Sequence, residues 1–93
     1  MYYLDPTTKF KKDLKKIKKN TKDFELVRVV LRTLQEKGVS GISQKMKPHL
    51  LIGNYKDNWE CHIKPDLLII WLQIENPKTI KLVRIGSHSD LFK

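Results

Sequence analysis

Apolar positions recur with a helical period in the first part of the chain and crowd into short runs between turn formers in the second. Within TTKFKKDLKKIKKN, Phe10, Leu14 and Ile17 fall at i, i+4 and i+7, one face of a helix whose other faces are almost all lysine. Ahead of it, residues 1–5 (MYYLD) read as a short strand stopped by Pro6, and Thr7 or Thr8 stands where a helix cap belongs. Asn20-Thr21 breaks the pattern, and Thr21 or Asp23 is placed to cap a second helix. Its apolar stripe is Leu26, Val27, Val30, Leu31 and Leu34, and Gly38 suits its C-terminus.

From Gly38 to Pro48 no period holds, and Ser40, Gly41, Ser43 and Pro48 mark a loop. HLLIGNY, NWECHI, DLLIIWLQI and TIKLVRIG then read as strands, separated by turns at Asn54 to Asn58, Lys64-Pro65-Asp66 and Asn76-Pro77-Lys78. Such tight joins predict antiparallel neighbours, because a parallel pair needs a long crossover. The closing SHSDLF reads as a polar turn followed by an apolar pair. The pattern predicts an α+β fold: an N-terminal strand, a two-helix hairpin, then an antiparallel meander of three to four strands. Ninety-three residues, 40% of them hydrophobic, suffice for one domain spanning 1–93 with one thin core.

Charge narrows the partners. Lys and Arg number 19 against 10 Asp and Glu, a net charge of +9, which favours nucleic acid before an acidic protein or an anionic membrane. Lys9, Lys11, Lys12, Lys15, Lys16, Lys18 and Lys19 make the first helix either a solvated face or a surface that attracts a phosphate backbone. Cys61 is the only cysteine, so an intrachain disulfide and a zinc ribbon are both excluded, and a buried thiol in a reducing compartment is expected. No signal peptide opens the sequence, and the longest apolar run, Leu67 to Leu72, is too short to span a bilayer. A cytoplasmic location with no membrane partner is therefore expected.

The polar residues of the β half carry the candidate chemistry. His49, His62 and His88 each fall at or near a strand end. His62 and Asp66 flank the Lys64-Pro65 turn, and Arg84 interrupts an apolar strand, sharing a face with Leu82 by alternation. Cleaving RNA without a metal needs a base for the 2′-hydroxyl, an acid for the leaving 5′-oxygen and positive charge on the phosphate. Histidines titrate near neutrality and can supply base and acid together, and arginine matches phosphate with a planar fork. An aspartate can orient an imidazole, and Phe92 can stack on an unpaired base. The histidines stand 13 and 26 residues apart, unlike the tight spacing of zinc ligands, so neither a metal nor a cofactor is expected. There is no glycine-rich phosphate loop, and Cys61 beside His62 points to the opposite sheet face, which argues against a Cys-His nucleophile. Trp59 and Trp71 read as sheet packing rather than as stacking platforms.

Three segments together, HLLIG from His49, ECHIKPD from Glu60 and RIGSHSDLF from Arg84, resemble the YafQ-type toxins of the RelE/ParE superfamily, found in bacterial type II toxin–antitoxin systems. The resemblance spans nearly the whole chain. It implies an endoribonuclease that cuts messenger RNA, typically on the ribosome, and is silenced by a cognate acidic antitoxin of the DinJ/RelB kind. Carried onto this sequence, it makes His49 and His88 the base and acid candidates, gives Arg84 the phosphate, and leaves His62 with Asp66 to orient or assist. Phe92 would position a nucleotide, with Lys9, Lys12, Lys16 and Lys56 as further RNA contacts. The antitoxin is expected to cover or distort the region of His88 and Arg84. The alternative is a toxin on the same fold that poisons gyrase or binds nucleic acid without cutting it. The pattern departs at Trp59, where relatives often carry a basic residue, and at Leu67, where some have tryptophan.

Overall fold

The computed structural model describes residues 1–92. Helix α1 (Thr8–Ile17) begins where the Thr7 hydroxyl oxygen accepts from the Phe10 N–H at 3.1 Å. Helix α2 (Thr21–Lys37) is capped by Asn20, whose side chain accepts from the Asp23 N–H at 3.1 Å, rather than by Thr21 or Asp23. The residue that breaks the first helix is thus the one that starts the second: its short amide reaches the orphan N–H of the new first turn. Gly38 ends α2 at φ 64°, where a Cβ would stand 2.8 Å from Gln73 Nε2 and 2.9 Å from the Tyr2 ring, so both backbone and space demand glycine. The expected loop that follows contains two short 3₁₀ turns, Gly38–Gly41 and Gln44–Met46.

The strands are β1 (Tyr3–Pro6), β2 (His49–Leu50), β3 (Trp59–Lys64), β4 (Leu67–Glu75) and β5 (Lys78–Gly86). They form one sheet in the order β1-β5-β4-β3-β2. The meander is antiparallel throughout, and β1 lies parallel to β5 with Tyr3 opposite Thr79 and Pro6 opposite Leu82. The two helices supply the long crossover that this parallel pairing requires. β2 is much shorter than HLLIGNY suggests: Ile52 is 90% exposed, and Gly53 at φ 75° turns the chain into a 3₁₀ turn through Tyr55.

β4 is the central strand, which explains its unbroken apolar run: Leu67 to Trp71 are all buried, because both faces of the strand are covered. On one face, Phe10, Val27, Val30 and Leu34 of the helices pack with Cys61, Ile69, Trp71, Ile80, Leu82 and Ile85. On the other, Leu68, Ile70 and Leu91 form a smaller cluster rimmed by Leu51, Tyr55, Val83 and Phe92. Leu91 belongs to a third helix, α3 (His88–Leu91), where a polar turn was expected. The Ser87 hydroxyl oxygen accepts from the Asp90 N–H and the Asp90 carboxylate accepts from the Ser87 N–H, a reciprocal cap written in the sequence as S-x-x-D. Among the described residues no helix is long and apolar enough to cross a membrane.

Candidate active site

Cross-strand partners share a sheet face. The pairs His49–Glu60, Glu60–Ile70, His62–Leu68 and Ile70–Arg84 therefore place two histidines, a glutamate and an arginine on the face that α1 and α2 leave open. Simple alternation along β5 would put Arg84 beside Leu82, under the helices. The register instead shifts, with Trp71 opposite Leu82 and Ile70 opposite Arg84. Val83 is the extra residue of a bulge, and the bulge turns Arg84 to the open face.

Glu60 sits at the centre of this face. It is the one buried charged side chain among the described residues, at 5% exposure. Its Oε1 lies 3.2 Å from His49 Nε2 and 3.8 Å from His62 Nε2, and its Oε2 has no hydrogen-bond partner among the described residues. The two imidazoles stand 6.5 Å apart, centroid to centroid. His49 Nδ1 also faces the Lys47 carbonyl at 2.7 Å, and His62 Nδ1 faces the Pro65 carbonyl at 3.4 Å. Glu60 has no role among the residues singled out in the sequence, although its signal is there: in NWECHI it stands two residues from His62, hence on the same face.

His88 is the first residue of α3 and is exposed. Its backbone N–H donates to Asp66 Oδ1 at 2.9 Å. Asp66 therefore contacts the main chain of His88 rather than orienting an imidazole, and it ties the β3–β4 turn to α3. The His88 ring lies 5.0 Å from Phe92, which meets Tyr55 edge-on at 5.7 Å. The Pro65-Asp66 turn thus anchors two of the three histidines, one through each residue.

Arg84 donates from Nε to Asp13 Oδ2 at 2.7 Å and from Nη2 to Asp13 Oδ1 at 3.1 Å. The Asp13 hydrogen bonds, with smaller help from its charge and from Tyr55, hold the guanidinium proton affinity above arginine's already high range, against some opposing desolvation. Asp13 was not singled out in the sequence, although it is the lone carboxylate in the lysine-rich α1. Of the lysines proposed to touch RNA, Lys9 lines a cleft of about 340 Å³ with Thr7, Thr8, Tyr55, Val83 and Arg84. Lys16 lines one of about 210 Å³ that also holds Asp13, Arg84 and Asp90. Lys12 and Lys56 stand exposed outside these clefts. On the far side of the histidines, a groove of about 530 Å³ runs from His62 and Ile63 past Lys45, Met46, Lys47 and Lys64. Beneath all this, Cys61 faces the helices, where burial first and the Glu60 charge second push its thiol up to about 12. That thiol is inert packing. Trp71 is fully buried with Trp59 stacked on it at 6.4 Å, as sheet packing requires.

Comparison with known proteins agrees over the full length. A family model described as the bacterial toxin of type II toxin–antitoxin system, YafQ, matches residues 2–93. The metal-bound toxin from Helicobacter pylori is 41% identical, with 99% of this chain and 100% of that one covered and a TM-score of 0.85. YafQ from E. coli strain BL21(DE3) superposes at a TM-score of 0.88 with full coverage of both chains, at 22% identity. A chain of the E. coli DinJ–YafQ complex does so at 0.86, again with full coverage of both, at 24% identity. At those last two identities the likeness concerns the fold alone. The curated proteins include no significant match. The match along residues 2–93, on the sheet and helices described above, makes the chain a member of the YafQ family of bacterial toxins from type II toxin–antitoxin systems.

Proposed function

We propose that this toxin is an endoribonuclease that cuts messenger RNA on the ribosome by histidine acid–base chemistry and is silenced by an acidic antitoxin. The observation that carries the reading is the buried Glu60 between two imidazoles, on the same open face as Arg84. A buried carboxylate is costly unless cations or donors compensate it. A sheet that only needed packing would place an apolar residue there, as Ile70 opposite it does.

The hydrogen bonds support one division of roles. Both ring nitrogens of His49 face protein oxygens, Glu60 Oε1 and the Lys47 carbonyl, so neither is open to a substrate hydroxyl. Glu60 and the Lys47 carbonyl thus hold the His49 ring in place. His62 Nε2, at 3.8 Å from the carboxylate, is outside hydrogen-bonding range and is free to take the proton of the 2′-hydroxyl. These contacts favour His62 over His49, the candidate that the resemblance suggests, as the base. The 2′-oxygen attacks phosphorus, and His88 gives its proton to the departing 5′-oxygen. Arg84 faces the charge that builds on the phosphate. Phe92, beside His88, offers a ring for a splayed base, and the lysine-lined clefts on either side receive the flanking backbone. The same positive face, on a chain of +9, is what an acidic antitoxin would occupy.

The test is induction of the wild type and of His88→Ala, with primer extension on a reporter transcript. The reading predicts growth arrest with discrete cuts for the wild type, and a loss of roughly 10²–10⁴-fold in cutting for the variant. Arrest by both proteins with no cuts would mean that the toxin acts on another target.

A further inference from the structure

Asp13 has a placement that helix formation does not explain. It is the single carboxylate in α1, flanked by Lys11, Lys12, Lys15 and Lys16, yet its side chain is only 14% exposed and turns toward β5. It accepts three hydrogen bonds: from Arg84 Nε at 2.7 Å, from Arg84 Nη2 at 3.1 Å and from the Ile85 backbone N–H at 3.1 Å. The edge of β5 explains why this position is available. β1 pairs with β5 only through Leu82, so the strand beyond has no β neighbour on that side. The start of α1 takes over, with the Thr7 N–H donating to Leu82 O at 3.0 Å, the Thr7 hydroxyl donating to Val83 O at 3.0 Å, and Asp13 accepting from Ile85. The segment so held is the bulge that turns Arg84 to the open face.

We propose that Asp13 is a positioning residue for the cleavage reaction, clamping the Arg84 guanidinium by its Nε–Nη2 edge so that its remaining donors face the scissile phosphate. The proposal rests on the reading of Arg84 as the phosphate ligand. A guanidinium has five N–H donors, and a side-on carboxylate takes one from Nε and one from Nη2. Asp13 leaves both protons of Nη1 and the outer proton of Nη2; Tyr55 stands by the group as a weaker partner, and one proton from each Nη nitrogen forms the end-on fork that matches two phosphate oxygens. Arg84 lines the clefts on both sides of this edge, so the fork opens onto space that a strand of RNA could occupy. An unclamped arginine samples many rotamers and must be ordered as the transition state forms. One already held side-on, with its side chain 19% exposed, presents its charge without reorganisation. Asp13 thereby acts through Arg84 and touches no reacting atom.

The experiment is a double-mutant cycle on single-turnover cutting of a defined messenger on programmed ribosomes, using the full chain as wild type, Asp13→Asn, Arg84→Ala and the double variant. Asp13→Asn should slow the cutting step by about tenfold or more while the apparent KM stays within about twofold. In the Arg84→Ala background the same substitution should change the rate by less than about twofold, since there is no guanidinium left to place. An equal penalty in both backgrounds would overturn the proposal and leave Asp13 as a structural ion pair, with the ribonuclease reading intact. A wild type that cuts nothing would bring down that reading and this proposal with it. A second measurement needs no variant that must fold: in the wild-type ¹⁵N spectrum the Arg84 Nε–H should exchange slowly with water. Exchange as fast as that of a free arginine would also overturn the clamp.

Discussion

The two faces of this sheet are made by alternate residues of the same strands, and they follow opposite rules. In β3, Cys61 is buried against the helices while its neighbours Glu60 and His62 meet across the open face. In β4, Ile69 and Trp71 join the large core while Leu68 and Ile70 floor the site. The helix-covered face is apolar through its core, with the hydrogen-bonded Gln73 at one end, and is held by two amphipathic helices. The open face has a core of Leu68, Ile70 and Leu91 under a one-turn helix, with a buried carboxylate and a bulge beside it. Stability is concentrated on one side and polar strain on the other, as expected where a scaffold supports a site.

Truncating the covered face should have the largest effect. Trp71→Ala removes a fully buried ring stacked on Trp59 and should cost about 3–5 kcal/mol, read by denaturant unfolding. For a domain of this size that is a large share of the total. A loss below about 1 kcal/mol would mean that the helices do not depend on this face. Leu91→Ala probes the other side. It deletes a side chain 5% exposed from the small cluster, so it should cost less, about 2–3 kcal/mol, yet it should also lower RNA cutting by loosening α3 and His88. Trp71→Ala should leave the activity per folded molecule nearly unchanged. If both variants lose activity in proportion to folded protein, the two faces are one cooperative unit and the distinction drawn here fails.

How far each face could be read from the sequence follows the same division. The covered face was legible because helical period, strand alternation and turn formers all describe burial against one partner layer. The caps were close: Thr7 is one of the two residues offered for α1, and Asn20 stands one residue before the nearer of the two offered for α2. The open face was legible as a list of residues and not as an arrangement. The bulge at Val83 is a register event set by pairing with β4, so alternation along β5 alone put Arg84 on the wrong side. Alternation already places Glu60 with His62, but its contact to His49 in β2 and that of Asp13 to β5 are long-range, and no local pattern records them. Asp66 is expected beside His62 from the hairpin, whereas its hydrogen bond goes to the backbone of His88, in a helix where the sequence suggests a turn.

A chemical probe separates the faces by a smaller margin. The Cys61 thiol, pushed from its ordinary 9.0 up to about 12 by burial, should resist alkylation near neutral pH in the folded protein and react at once in denaturant. The linkage has a definite sign. Below about pH 9 the thiol is protonated in both states and contributes no pH dependence. Between about 9 and 12 the unfolded chain ionises and the folded one does not, so stability falls as pH rises, by about 1.4 kcal/mol per pH unit from this group. Lysines and tyrosines titrate in the same window, and the difference in slope between wild type and Cys61→Ala isolates the thiol. Equal slopes would place Cys61 in contact with water and remove the dry core that the covered face requires.

The smallest effect tests the join between hairpin and terminal helix. Asp66 is exposed and accepts from the His88 N–H, so Asp66→Ala should cost about 1 kcal/mol, the range for losing a helix-capping acceptor. Its catalytic consequence depends on what Asp66 does. If it only holds the main chain of His88, Asp66→Asn keeps an oxygen acceptor in the same place and should retain most of the cutting that Asp66→Ala loses. If the carboxylate itself moves a proton or compensates charge in the reaction, Asn and Ala should be equally damaging, since neither can do so. The contact in the structure goes to a backbone amide, which does not titrate and asks only for an acceptor. Rescue by Asn is therefore the expected result, and its failure would return Asp66 from the scaffold to the chemistry.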